Sequence, residues 1–143
     1  MLIPQIAQSG NSAYIKQSGE SGIAEIVQNG KNNRAGIIQG DDGPVSRKAR
    51  SGIPRSNRAV IMQDGDHNVA RQIQNGSDNI ALVGQRGNEN EAVQTQVGES
   101  SWAGAVQEGN SNEVFQSQTG GGHMHTIVET GNDKKVTVSQ SGN

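Results

Sequence analysis

Glutamine recurs every 11 residues through most of this chain, and that interval constrains the fold more than any other feature. Gln17, Gln28 and Gln39 are spaced so, as are Gln63, Gln74, Gln85, Gln96, Gln107 and Gln118, with Glu129 and Gln140 in the next two places. Glycine stands two residues after nearly all of them, as Gly19, Gly30, Gly65, Gly76, Gly87, Gly98, Gly109, Gly120 and Gly131. With glutamine as position 0, the unit reads Q-x-G-x-x-N-x-A-x-[IVQ]-x-Q, as in QNGSDNIALVGQ from Gln74 to Gln85. Positions 5, 7, 9 and 11 differ by two, the period that sends alternate strand side chains to one face. Asn79, Ala81, Val83 and Gln85 therefore share a face, and Ile80, Leu82 and Gly84 point the other way. Glycine at position 2 and the polar residues after it supply the reversal. One strand and one turn cannot bury a face alone, so successive units must stack.

A second period lies inside the first. Gln72, Gln94 and Gln116 are 22 apart at position 9, and Val83, Ala105 and Ile127 alternate with them at the same interval. A double period predicts a two-sided coil, an all-β solenoid with rungs of about 22 residues and two sheets face to face. Each residue then lies over its equivalent one rung away, about 4.8 Å distant. Gln74, Gln96, Gln118 and Gln140 are expected to form one ladder, and Gln63, Gln85 and Gln107 another. A carboxamide carries both donors and an acceptor, so repetition guarantees each a partner above and below. Asparagine ladders are expected through Asn68, Asn90 and Asn112 and through Asn33, Asn57 and Asn79, satisfying turn backbone. Alanine at position 7 lets the sheets approach closely.

Composition agrees with a polar stack and with little else. Of the 143 residues only 30% are hydrophobic, with one Trp, one Tyr and one Phe, too few for a layered apolar core. The formal net charge of −2 is too small for a charge-driven disordered chain and offers no general basic face for nucleic acid. There is no cysteine, hence no disulfide frame. No apolar run is long enough to span a membrane as a helix. Met1-Leu2-Ile3-Pro4 does not read as a signal peptide, so a secreted form of this sequence would be a mature or trimmed one.

At these repeats the chain resembles the curlin family, the subunits of curli fibres. The residues that carry the resemblance are Gln, Gly, Asn, Ala and Gln at positions 0, 2, 5, 7 and 11, as in QDGDHNVARQIQ and QNGSDNIALVGQ, over nearly the whole chain and about six rungs. The even spacing of units looks more like the nucleator-type subunit than the major one. The resemblance implies a secreted β-solenoid that polymerises into extracellular amyloid fibres for biofilm matrix and surface adhesion. It also implies a companion subunit or nucleator as partner, and passage through a dedicated secretion channel.

The pattern breaks in three places. Gln8 stands 9 residues before Gln17, which makes the first turn short. Between Gln39 and Gln63 the interval is 24, read as two more than a full rung. Kept in register, Pro44, Ser46, Lys48 and Arg50 in that stretch would point inward, which an unpaired charge and a non-donating proline forbid. An irregular, extruded half-rung is expected at about 40–57. The stretch reads as a decayed repeat on the surface; alternatively, its basic residues Arg47, Lys48, Arg50, Arg55 and Arg58 form a candidate patch, over 47–58, for an anionic surface or polysaccharide. Near the C-terminus, His123 and His125 take the Asn and Ala positions and Glu129 the ladder position. Without a third convincing ligand they do not make a metal set, although titration of all three could tune assembly.

The chain holds no nucleophile–base pair and no phosphate loop, so it does not read as an enzyme, and no cofactor is implied. Outward apolar residues (Tyr14, Ile23, Val60, Leu82, Val93, Trp102, Phe115, Met124) read as scattered exposure, with lateral bundling of fibres as the alternative. The rival class is a monomeric β-solenoid that binds a regular surface such as ice or a polysaccharide. An ice-binding face needs flat rows of small residues, whereas Ile80, Trp102 and Met124 share one outward column.

Overall fold

The structure, a computed structural model, describes residues 10–18, 22–40 and 57–142. Among these residues there is no helix. Eleven strands follow one another in order: β1 (Ser12–Gln17), β2 (Ile23–Asn29), β3 (Arg34–Gly40), β4 (Arg58–Asp64), β5 (Val69–Ser77) and β6 (Ile80–Arg86). They continue as β7 (Glu91–Glu99), β8 (Trp102–Glu108), β9 (Glu113–Thr119), β10 (Met124–Thr130) and β11 (Lys135–Ser141). The chain crosses from one sheet to the other at every turn. Odd strands make a six-stranded sheet, β1-β3-β5-β7-β9-β11, and even strands a five-stranded one, β10-β8-β6-β4-β2. Every neighbouring pair is parallel, in the register Gln74↔Gln96 and Gln85↔Gln107. This is the two-sided β-solenoid that the double period calls for.

Each strand turns positions 5, 7, 9 and 11 inward. Position 7 is filled by Ala24, Ala35, Ala59, Ala70, Ala81, Ala92 and Ala103, all buried, which keeps the space between the sheets narrow. Position 9 supplies the aliphatic core: Ile37, Ile61, Val83 and Ala105 are fully buried, with Ile127 beside them. The turns need two special backbones. Gly65, Gly76, Gly87 and Gly109 at position 2 have φ between 112 and 128°. Two residues further on, His67, Asp78, Glu89, Ser100 and Ser111 adopt left-handed φ of 57–59°.

Three expectations change. Counting 40–57 as a full rung plus two residues puts β3 and β4 in one sheet, whereas they lie in opposite sheets. β2 pairs directly with β4, and β3 directly with β5, so partners there are 35 positions apart rather than 22. Residues 41–56, with Pro44, Ser46, Arg47, Lys48, Arg50 and Arg55, lie outside the described residues. The flanking register nonetheless shows that no layer stands between β2 and β4 or between β3 and β5. The physical reason is continuity: the Gln, Asn and Ala columns close over the break, and an inward Pro44 and Arg50 would have interrupted the Asn and Gln columns. In consequence Asn33 stacks under Asn68, not with Asn57 and Asn79. Gly19 and Gln8 also lie outside the described residues.

The third change concerns the outer faces. Ile23, Ile80, Trp102 and Met124 share one column of the five-stranded sheet, Val60 and Leu82 the next, and Val27, Met62, Val106 and Val128 a third. The outward apolar residues are thus not scattered evenly. Most belong to this one sheet, while the six-stranded sheet turns Arg34, Arg71, Glu91, Glu113 and Lys135 outward among its apolar residues.

Candidate functional site

The feature from which function can be argued is not a cleft but a set of amide columns that run along the stack and stop at its ends. In the six-stranded sheet each glutamine Nε2 donates to the Oε1 of the next: Gln17 to Gln39 (2.7 Å), Gln39 to Gln74 (2.8 Å), Gln74 to Gln96 (2.9 Å), Gln96 to Gln118 (3.0 Å) and Gln118 to Gln140 (3.1 Å). In the other sheet Gln28 donates to Gln63 (2.9 Å), Gln63 to Gln85 (2.8 Å) and Gln85 to Gln107 (2.9 Å). The second N–H of each amide crosses to the opposing sheet. Gln74 donates it to Arg58 O at 3.0 Å, Gln85 to Val69 O at 3.0 Å and Gln96 to Ile80 O at 3.1 Å. One side chain therefore both extends its own sheet and ties it to its partner. Glutamine serves where leucine would not because the space is polar on three sides.

The asparagines hold the turns. Asn68 Oδ1 accepts the backbone N–H of Asn90, and Asn68 Nδ2 donates to Gly87 O (2.8 Å). Asn90 repeats this with Asn112 and Gly109, and Asn112 with Lys134 and Gly131. In the other corner Asn57 holds Asn79 N–H and Gly76 O, and Asn79 holds Ser101 N–H and Gly98 O. Asn33 is joined to Gly65 O and to the N–H of Asn68. The turn glycines Gly30, Gly65, Gly76, Gly87, Gly98 and Gly109 stack with the next layer's glycine carbonyl about 2 Å from where a Cβ would stand. Gly120 meets Gly142 O in the same way, and Gly131 ends its column.

Two further columns are not part of the expected set. Gln72 donates to Gln94 (2.9 Å) and Gln94 to Gln116 (3.0 Å), a buried ladder at position 9. At position 3, Asn88, Asn110 and Asn132 accept backbone N–H from Asp66, Asn88 and Asn110, each one layer away. The signal for the first was the 22-residue spacing of its glutamines. The second carried a weaker one, since Asp66 varies the residue type.

The columns are complete in the middle and incomplete at both ends. Gln28, on the outermost described strand of the five-stranded sheet, is 7% exposed, and its Oε1 has no partner among the described residues. At the other end of that sheet Glu129 is 4% exposed, and neither carboxylate oxygen has a partner. Gln72 Oε1 is also unpartnered, for an internal reason: the layer before it carries Ile37, which has no donor. His123 faces Thr119 O (3.0 Å) within its own turn, and His125 lies 3.3 Å from Gln116 Nε2 on the opposing sheet. Among the described residues no three His, Cys, Asp or Glu side chains gather as a metal site. No helix among them is long and apolar enough to cross a membrane.

A parallel two-sided solenoid whose like side chains zip along the axis is a repeat protein of the β-solenoid class. Residues 55–87, two units with Gln63, Gln74 and Gln85, match the family model of the curlin associated repeat. That segment, and not the whole chain, is what the match covers. No curated protein and no solved structure matches the chain.

Proposed function

We propose that this chain is a structural subunit of an extracellular, curli-like amyloid fibre and that it polymerises head to tail through its terminal strands. The observation that carries the reading is the open end of each column. Among the described residues, β1 and β2 at one end, and β10 and β11 at the other, each present an unpaired strand edge. Gln28 and Glu129 add buried polar atoms that have no partner among the described residues and that another layer could satisfy. A buried unpaired carbonyl or carboxylate costs about 1–3 kcal/mol or more, so addition of a further copy is favoured at both ends. Because the two ends differ, the contact is heterologous and does not close on itself. The curlin resemblance supports the extracellular setting, the role in biofilm matrix and adhesion, a companion subunit or nucleator, and a secretion channel. As a structural subunit it needs no catalytic residue and no cofactor. The basic stretch 47–58, of which Asn57 and Arg58 are described, is proposed as the contact for an anionic surface or polysaccharide.

Purified protein incubated at micromolar concentration is expected to form unbranched fibres that bind amyloid dyes. Their diffraction should show a spacing along the fibre of about 4.7–4.8 Å. Persistent soluble monomer by size exclusion, with no fibres in electron micrographs of aged samples, would return the chain to the rival class of monomeric surface binders.

A further inference from the structure

Among the described residues the two sheets do not hold the same number of strands, and this bears on how copies stack. There are six in one and five in the other. Suppose a second copy is added by simple translation, β1 of the newcomer pairing with β11. The six-stranded sheet is then continuous, but in the five-stranded sheet β10 and the newcomer's β2 stand two strand spacings apart, about 9.6 Å. No backbone hydrogen bond spans that distance. The gap would recur at every junction, and it would fall on the two strands that carry the unpartnered Gln28 Oε1 and Glu129 carboxylate.

We infer that successive copies in the fibre are related by a half turn about its axis, so that the coil runs on from β11 into the next copy's β1 and β2 without a missing layer. This rests on the head-to-tail reading above. A half turn places one copy's six-stranded sheet over the other copy's five-stranded sheet. Strand direction is preserved, because the chain runs one way along one sheet and returns along the other. Both sides of the fibre then carry eleven strands for every two copies, and neither has a gap.

At β11 the side chains that meet are complementary. β11 takes the newcomer's β2, so Gln140 stands over Gln28. Gln140 accepts from Gln118 at its Oε1 (3.1 Å), and among the described residues its amide nitrogen has no acceptor, while Gln28 Oε1 has no donor. The ladder direction, Nε2 to the following Oε1, is the one this junction continues. Val138 meets Ile26, both partly buried against the core. On the other side β10 takes β1, which sets Ile127 against Ile15 and Glu129 against Gln17. At both ends position 9 is aliphatic, whereas the middle of the six-stranded sheet carries Gln72, Gln94 and Gln116 there. The junction is thus an apolar seam, flanked by the Gln140–Gln28 amide pair on one side and by Glu129 with Gln17 on the other.

Engineered disulfides test the rotation, since the chain has no cysteine of its own. Ser139, Val27 and Lys16 are exposed and occupy the same outward column position on β11, β2 and β1. Adjacent parallel strands bring such Cα atoms to about 4.8 Å, within disulfide range. Ser139 and Val27 lie at opposite ends of one copy, so a bond between them must join two. Fibres of Ser139→Cys/Val27→Cys, oxidised after assembly, are expected to run as a multimer ladder on non-reducing gels. Fibres of Ser139→Cys/Lys16→Cys should stay monomeric. The reverse outcome overturns the half turn while leaving head-to-tail assembly intact. Absence of fibres in the unsubstituted protein removes the head-to-tail reading and the rotation with it. In wild-type fibres, helical reconstruction should give a rise of about 26 Å and a rotation near 180° per copy; a rise of about 29 Å with rotation near zero contradicts the inference.

Discussion

Alanine in place of Gly87 will break the stack at its middle. Gly87 has φ of +112°, a conformation that a Cβ strains, and the added Cβ would lie 2.0 Å from Gly109 O and 2.8 Å from its carbonyl carbon. Neither atom can yield, because each belongs to backbone that is repeated in the next layer. The glycine also presents its own carbonyl to Asn68 Nδ2 at 2.8 Å, so moving it uncouples the asparagine corner as well. A clash on backbone at positive φ, joined to loss of a buried hydrogen bond, exceeds the usual range for single substitutions, and a loss of about 4 kcal/mol or more is expected. For a chain of this length that corresponds to a fall in Tm of about 15 °C. Gly84→Ala is the control. Gly84 lies in a strand, faces outward with nothing within 4 Å of a Cβ, and should change Tm by no more than a few degrees. Thermal melts of the two variants by circular dichroism decide the matter; equal effects would mean that the turns do not stack as described.

Cutting a glutamine ladder should cost nearly as much, and mending one should stabilise. Gln96→Leu keeps the volume but removes three hydrogen bonds: from Gln74 at 2.9 Å, to Gln118 at 3.0 Å and to Ile80 O at 3.1 Å. Gln118 Oε1 is left buried without a donor, and Gln74 Nε2 loses one of its two acceptors. With about 1–3 kcal/mol for each buried group orphaned, a loss of about 2–5 kcal/mol is expected. A hydrophobic substitution that destabilises a protein interior marks the interior as polar by design. Glu129→Gln is the opposite change. It replaces a buried carboxylate whose two oxygens have no partner by the side chain that repeats the geometry of Gln85 on Gln107. A gain of about 1–3 kcal/mol is expected in denaturant unfolding. If Gln96→Leu proves neutral, the columns are a consequence of the fold and not a cause of it.

Much of this was legible in the sequence because the repeat is a one-dimensional object. Inward and outward positions follow from a period of two, and the two sheets from the doubling of 11 to 22, so the ladders through Gln74, Gln96, Gln118 and Gln140 could be written from spacing alone. What spacing could not give is the bookkeeping across an interruption. At 40–57 the interval of 24 is near a full rung, and only pairing geometry shows that β3 and β4 face each other instead of stacking. That choice carried Asn33 into the other column. The left-handed residue at position 4 was also hidden, because His67, Glu89 and Ser100 are not residues that advertise a positive φ. The apolar outer face escaped for a related reason. Its members Ile80, Leu82, Trp102 and Val106 come from alternate units, and a reading along the chain mixes them with the polar outward residues between.

The central claim is that carboxamides lie over carboxamides along the axis, across the interruption as well as within the regular repeat. Through-space magnetic resonance contacts between glutamine side-chain amides test it most directly. Contacts are expected between Gln39 and Gln74 and between Gln28 and Gln63, whose nitrogen and oxygen atoms stand 2.8 and 2.9 Å apart. Contacts from Gln39 to Gln63, or none among these four side chains, would contradict it.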